Sequence, residues 1–144
     1  MDRVDSIDEI LEFALAREVE ANQLYTYMAK RMKSMVMTRI CEEFAKEELE
    51  HKAKLELELM KQGEIVRELD ISAYTSEGGS PIDMNYEELL AFAIKKEQTA
   101  IDLYTDLAEI VKDNESRDVL LDLAKEETTH KLRFELEYNS LKHA

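Results

Sequence analysis

Six side chains carry the chemistry of this sequence: Glu18, Glu48 and His51 in the first half, and Glu97, Glu127 and His130 in the second. The two sets stand at a constant offset of 79 residues, and Tyr25 and Tyr104 repeat with them, so each half reads Glu-x6-Tyr-x22-Glu-x2-His. Carboxylate oxygen and imidazole nitrogen are donors for first-row transition ions. Two divalent cations would balance four ionised carboxylates, and two neutral imidazoles would add one nitrogen donor each. Glu48 and His51, like Glu127 and His130, are three apart, which on a helix sets their Cβ atoms on one face about 5 to 6 Å apart. Mixed oxygen and nitrogen ligation suits iron or manganese, and zinc can bind as well. Six ligands for two ions leave open positions suited to redox chemistry. One Glu-x-x-His is a weak signal in a glutamate-rich chain; two copies, each with an upstream Glu-x6-Tyr, are a strong one.

The elements that must position these groups read as four helices. Ile7, Leu11, Ala14, Glu18, Ala21, Tyr25, Met28 and Met32 alternate spacings of four and three, the seam of a packed helix between Ser6 and Lys33, with Ser6 and Glu9 forming a capping box. A second helix, from about Met35 to Gln62, aligns Met37, Cys41, Phe44, Glu48, His51 and Leu55, with Gly63 as its stop signal. The third starts near Asn85, with Glu88 at the box position, and aligns Tyr86, Leu90, Ala93, Glu97, Ala100, Tyr104, Leu107 and Val111; Asp113 and Asn114 interrupt it. The fourth aligns Leu120, Leu123, Glu127, His130, Phe134 and Leu141, with Glu137 a charged intruder. Leu11-Glu12-Phe13-Ala14 matches Leu90-Ala91-Phe92-Ala93, and Phe44-Ala45-Lys46-Glu47-Glu48 matches Leu123-Ala124-Lys125-Glu126-Glu127. The expectation is an all-α bundle in one domain over 1–144, built from two repeated helical hairpins at about 6–62 and 85–142.

The crossover at 63–84 is too long for an up-down-up-down bundle. It can traverse a helix of about 28 residues, roughly 40 Å at 1.5 Å per residue, which makes the second and third helices parallel and brings all six groups to one depth. Each of the four glutamates sits on an apolar seam, where an unpaired carboxylate costs several kcal/mol. No lysine or arginine shares the central part of these seams, so cations must come from outside the chain.

Composition closes other routes. The 144 residues are 44% apolar and 36% charged, with a formal net charge of −14, which repels nucleic acid and anionic lipid and favours cations. One cysteine, Cys41, excludes a disulfide framework. No apolar run approaches the roughly 18 residues of a membrane span, and the start Met1-Asp2-Arg3-Val4-Asp5 lacks the features of a signal peptide, so a cytoplasmic location is expected. Gly78, Gly79 and Pro81 fall together among only three glycines and one proline, which favours long helices elsewhere.

One glutamate from each of two helices plus Glu-x-x-His from each of the others is the ligand pattern of di-iron and di-manganese carboxylate bundles. On these residues the chain resembles rubrerythrin-type members of the ferritin-like superfamily over nearly all its length. The resemblance implies a ferritin-like four-helix bundle in which Glu18 and Glu97 are terminal ligands, Glu48 and Glu127 bridging carboxylates, and His51 and His130 nitrogen ligands of a non-haem di-iron centre. Two departures stand out. The paired Cys-x-x-Cys motifs of a rubredoxin domain are absent, so electrons would come from a separate protein such as rubredoxin. Where rubrerythrins carry an extra glutamate one turn before the third-helix ligand, this chain has Ile94, leaving a symmetric set closer to that of bacterioferritin.

The function expected is a di-iron oxidoreductase that reduces hydrogen peroxide or dioxygen, with Tyr25 and Tyr104 as hydrogen-bond donors to the opposite half-site and candidate proton relays. The alternatives are a ferroxidase or iron-handling protein, and a non-catalytic module held together by an ion such as zinc. Glu47 and Glu126 are solvent-facing or accept a hydrogen bond from the distal nitrogen of a ligand histidine. Cys41 reads as an inert buried thiol, Met28, Met32, Met35 and Met37 as core filling or a dimer contact, and His143 as a frayed end. Exposed apolar edges on long helices favour a homodimer.

Overall fold

The computed structural model describes residues 3–4, 6–75 and 79–143; Met1, Asp2, Asp5 and Gly78, used in the sequence reading, lie outside them. Four helices dominate: α1 (Ile7–Ala29), α2 (Met35–Met60), α3 (Tyr86–Ile110) and α4 (Asn114–Lys142). None is long and apolar enough to cross a membrane. Two-residue strands β1 (Arg3–Val4) and β2 (Leu69–Asp70) pair antiparallel, and 3-10 turns at Ile71–Tyr74 and Pro81–Asp83 punctuate the segment between α2 and α3.

α1 packs along α2 and α3 along α4, each pair closed by a short turn. Tyr25 of α1 donates to Glu97 of α3, while Tyr104 of α3 donates to Glu18 of α1, so these two helices run antiparallel. α2, antiparallel to α1 in its hairpin, therefore runs parallel to α3. The connector spans the bundle to join them. Its start is tied to the end of α3 by Val66 N–H donating to the Ile110 carbonyl at 2.8 Å. Tyr74 hydroxyl then bonds Asp106 at 2.6 Å, and at the far end the Arg31 guanidinium holds the Met84 carbonyl at 2.8 Å.

Three local expectations change. Ser6 has the extended backbone of an N-cap but its side chain makes no capping bond, so the Ser6–Glu9 box does not form; the pairing of β1 with β2 fixes the approach of the chain into α1 instead. After α2 the left-handed residue is Gln62, with φ 53°, rather than Gly63, where a Cβ would meet Ile7 Cδ1 at an ordinary contact distance of 3.5 Å. Asp113 and Asn114 do not merely interrupt: Asp113 caps α4, accepting from Ser116 N–H at 3.1 Å, and Asn114 is the first helical residue. At α3 the box is complete, Asn85 accepting from Glu88 N–H at 2.8 Å and the Glu88 carboxylate from Asn85 N–H at 3.0 Å.

The apolar core divides in two. One cluster, including Ile10, Leu11, Leu55, Leu107 and Leu120, fills the end that holds the α1 N-terminus. The other, including Met28, Met37, Phe44, Leu90 and Phe134, fills the opposite end. Between them lies a layer of buried charge: Glu18 falls between Ala14 and Leu24, Glu48 and His51 between Ala45 and Leu55, Glu97 between Ala93 and Leu103, Glu127 and His130 between Ala124 and Phe134. The helices extend on both sides of this layer, so each end carries an apolar clamp that fixes the depth of the charged residues.

Removing the Asn85 cap leaves orphan N–H groups at the start of α3, so Asn85→Ala should destabilise the metal-free protein by about 1 kcal/mol. Ser6→Ala should change stability by only a few tenths of that. Urea unfolding followed by circular dichroism checks both, and equal losses would contradict the assignment of the caps.

Candidate metal centre

Each helix contributes from its buried face at mid-length. Glu18, Glu48, His51, Glu97, Glu127 and His130 are all no more than 1% exposed. Glu18, Glu48, His51 and Glu127 each offer a donor atom within 4.8 Å of the others, and so do Glu48, Glu97, Glu127 and His130. The two sets share Glu48 and Glu127. The Nδ1 atom of each imidazole faces inward: that of His51 is 3.1 Å from Glu127 and 3.5 Å from Glu18 and Glu48, and that of His130 is 3.1 Å from Glu48, 3.3 Å from Glu97 and 3.5 Å from Glu127.

These approaches are close but poorly directed. Both Glu48 oxygens, one oxygen each of Glu18, Glu97 and Glu127, and both inward nitrogens are buried without a hydrogen-bond partner. Seven orphaned donor atoms converging on one layer is the arrangement that ion coordination satisfies and ordinary core packing does not. Burial pushes the Glu18, Glu48 and Glu97 carboxyls up, Glu97 to about 8, with the charge of Glu127 adding in each case. Glu127 is held low, because the approach of His51 and Glu48 outweighs the burial that opposes it. Burial works against charge on the imidazoles too, yet Glu127 and Glu18 lift His51 to about 10, and Glu97 lifts His130. Without metal, the layer keeps itself near neutrality by holding protons that metal ions would displace.

Around the six stand further groups. Tyr25 and Tyr104, fully buried, reach across the bundle to Glu97 and Glu18; burial, then the charge of those glutamates, pushes both hydroxyls well above their ordinary range, so they act as donors. The outward Nε2 of His51 lies 3.2 Å from Glu126 and that of His130 lies 3.5 Å from Glu47, neither aligned as a hydrogen bond. Lys54 approaches Glu126 at 3.4 Å. Ile94 packs against the second apolar cluster, so no carboxylate stands one turn before Glu97. Burial, with Glu137 and Glu42 adding, pushes the Cys41 thiol up to about 12, which leaves it unreactive. Met28 and Met37 fill the core, while Met35 is exposed. His143 caps the end of α4 through its N–H to Asn139 at 3.2 Å.

Two features escaped the sequence reading. Phe44 stacks on the His130 ring, centroids 3.9 Å apart and planes 23° from parallel; its place on the seam was legible but its partner was not. A cavity of about 30 Å³ between α1 and α3 touches Glu18, Glu48, Glu97 and Glu127, and is walled by Ala21 and Ala100. Arg17 and Lys96 flank it, each lying over a phenylalanine of its own helix, Phe13 and Phe92. The 79-residue offset relates both pairs, which is the signal that marks them as one device.

The profile of the Rubrerythrin family matches residues 9–138, a span that contains all six buried groups and both tyrosines. The chain belongs to the rubrerythrin family. Among solved structures it is similar to a hypothetical protein from Pyrococcus furiosus, with a TM-score of 0.76 and 24% identity over 96% of this chain and 91% of that one. It is also similar to a Thermotoga maritima protein described as ferritin-like and diiron-carboxylate, with a TM-score of 0.80 and 17% identity over 93% of this chain and 95% of that one. Likeness at these identities shows the ferritin-like fold. No curated protein matches the chain.

For a rubrerythrin-family chain with this layer, pH dependence in the metal-free state follows from the proton positions. Groups raised on folding contribute stability that is full below their unfolded values and lost as pH climbs through their folded ones, about 8 for Glu97 and about 10 for His51. Glu127, lowered, contributes in the opposite sense. Five groups outweigh one, so the melting temperature of chelator-treated protein should fall between about pH 5 and about pH 9, and metal loading should abolish the fall while releasing protons. A metal-free melting temperature that rises across that window would overturn this account.

Proposed function

We propose that the chain holds a di-iron centre and works as an oxidoreductase that reduces hydrogen peroxide or dioxygen. The observation that carries the reading is the pair of overlapping donor sets that share Glu48 and Glu127. Glu18 and His51 would complete one ion, Glu97 and His130 the other, with the shared carboxylates between them. Iron suits this oxygen and nitrogen set, with manganese and zinc as competitors. Family membership and the ferritin-like fold support the same reading. A bound iron pair supplies the two electrons that turn hydrogen peroxide and two protons into two waters, or electrons for dioxygen.

The chain's own residues set the conditions. Tyr25 and Tyr104 hold their protons firmly, which makes them positioning residues that fix one oxygen of Glu97 and Glu18 and leave the other free to bind. Glu126 and Glu47 place negative charge beside the outward nitrogens of His51 and His130, favouring a proton there and leaving Nδ1 as the donor. The two apolar clusters exclude bulk water from above and below. Access is lateral, through the cavity at Ala21 and Ala100, whose volume of about 30 Å³ holds one or two water-sized molecules. Peroxide and dioxygen fit it, and bulky organic hydroperoxides do not.

Protein loaded anaerobically with ferrous iron should bind two ions per chain, counted by metal analysis, and change its absorption when peroxide or oxygen is added. Glu48→Ala combined with Glu127→Ala should abolish loading. A fully loaded centre left unoxidised by both oxidants would refute the activity, and unchanged metal content in the double variant would refute the ligands. Ala100→Leu should keep the metal content yet slow oxidation by peroxide about tenfold, equivalent to about 1.4 kcal/mol of barrier; an unchanged rate would move the access route elsewhere.

A further inference from the structure

From Ala21 to Cys41 the chain has no aspartate or glutamate, a run of 21 residues in a protein that carries 33 acidic residues among 144. The same run holds Lys30, Arg31, Lys33 and Arg39. It forms the end of α1, the turn and the start of α2. Arg31 is committed to the Met84 carbonyl and the Tyr27 hydroxyl, whereas Lys30, Lys33 and Arg39 are exposed. Among them Met35 and Val36, the first two residues of α2, are 66% and 61% exposed. The positive end of the α2 dipole points the same way. An apolar centre inside a cationic rim is the surface a transient acidic partner fits.

The duplication supplies an internal control. The equivalent turn of the second hairpin, residues 109–120, carries Glu109, Asp113, Glu115 and Asp118 against Lys112 and Arg117. The interior differs in the same sense. Below the basic turn, Met37, Cys41 and Phe44 stand at i, i+4 and i+7 on the buried face of α2, and Phe44 stacks on His130. Their counterparts below the acidic turn are Ser116, Leu120 and Leu123, and nothing aromatic stacks on His51 except the other imidazole among the described residues. From Met35 to Phe44 the rise is roughly 14 Å at 1.5 Å per residue. The packed column therefore links the patch to one imidazole of the centre by a short path through dense, polarisable side chains.

We propose that the first hairpin turn, Lys30 to Arg39, is the docking surface for an acidic one-electron carrier protein, and that the α2 column carries its electrons to the centre at His130. This rests on the oxidoreductase reading, since each peroxide reduced consumes two electrons. Two carriers, each oxidised by one electron, would return a bound iron pair to its reduced state. The contact is electrostatic and brief, so its rate falls with salt.

The test uses reduced rubredoxin of acidic isoelectric point as the probe, with the triple variant Lys30→Glu, Lys33→Glu, Arg39→Glu and a control of equal charge change elsewhere on the bundle, Arg67→Glu, Lys112→Glu, Lys125→Glu. Binding is read by NMR titration of the metal-free protein, and re-reduction of the oxidised loaded protein by stopped flow at low salt. The patch variant should bind at least tenfold more weakly and be re-reduced roughly 100-fold more slowly, within the range of electrostatic steering. Its direct oxidation by peroxide, metal content and melting temperature should match the parent, and the control should stay within about threefold throughout. Equal slowing by both variants, no effect of the patch variant, or tighter binding of the patch to duplex DNA or anionic vesicles than to rubredoxin would overturn the proposal. Failure of peroxide to oxidise the loaded parent would sink the activity instead, and the titration of metal-free protein would still decide the docking surface.

Discussion

Four glutamates buried at mid-bundle, with two imidazoles facing them, are the constraint from which the rest of the structure follows. A carboxylate removed from water without compensation costs several kcal/mol, and this chain places four of them in one layer with no lysine or arginine ion-paired to them among the described residues. The layer cannot hold itself together by direct hydrogen bonds, because its inward oxygens and nitrogens face each other without alignment. It is held from outside, by an apolar cluster at each end. That explains why the helices run several turns past the charged residues in both directions, and why the connector spends its length on crossing the bundle. The arrangement is a scaffold that keeps donor atoms near one another against their own repulsion, which is the condition for strong ion binding and for protons in the ion's absence.

Periodicity made most of this legible. A seam of fours and threes locates one line of contact per helix, and Glu18, Glu48, His51, Glu97, Glu127 and His130 all lie on it. What the seam underestimates is width. Ile10, Leu24, Leu89, Leu103 and Ile110 are also buried, because a helix packed against two neighbours hides more than one line of residues. Local punctuation was less legible. Ser6 and Glu9 have the spacing of a capping box, but a cap forms only where the chain turns into the helix from the right direction, and strand pairing decides that for α1. Gly63 had the composition of a stop signal, yet the left-handed backbone that ends α2 falls one residue earlier, at Gln62. The cross-bundle bonds of Tyr25 and Tyr104 were within reach because the repeat fixes their distance from Glu18 and Glu97. The stacking of Phe44 on His130 was not, since it depends on which side of the imidazole each neighbouring helix presents.

Duplication gave both halves the same ligands, and divergence then made their surroundings unequal. Phe44 pairs by the repeat with Leu123, Phe134 with Leu55, Cys41 with Leu120 and Met37 with Ser116. Phe44 and Tyr25 therefore crowd His130, with ring centroids 3.9 and 6.4 Å away, and Phe134 packs against both of those rings, whereas among the described residues the one ring against His51 is the other imidazole. The outer charges differ as well: Glu126 beside His51 is shared with Lys54, whereas Glu47 beside His130 is more buried and has no lysine ion-paired to it among the described residues. Two ions in such a site would meet the same donor atoms in different fields. Partial neutralisation of Glu126 weakens its hold on the His51 proton and makes that imidazole the poorer donor. The undiluted charge of Glu47 does the opposite for His130. A symmetric donor set thus acquires a polarity from its second layer, with the better-supported imidazole on the side where aromatic rings and thioethers pack most densely.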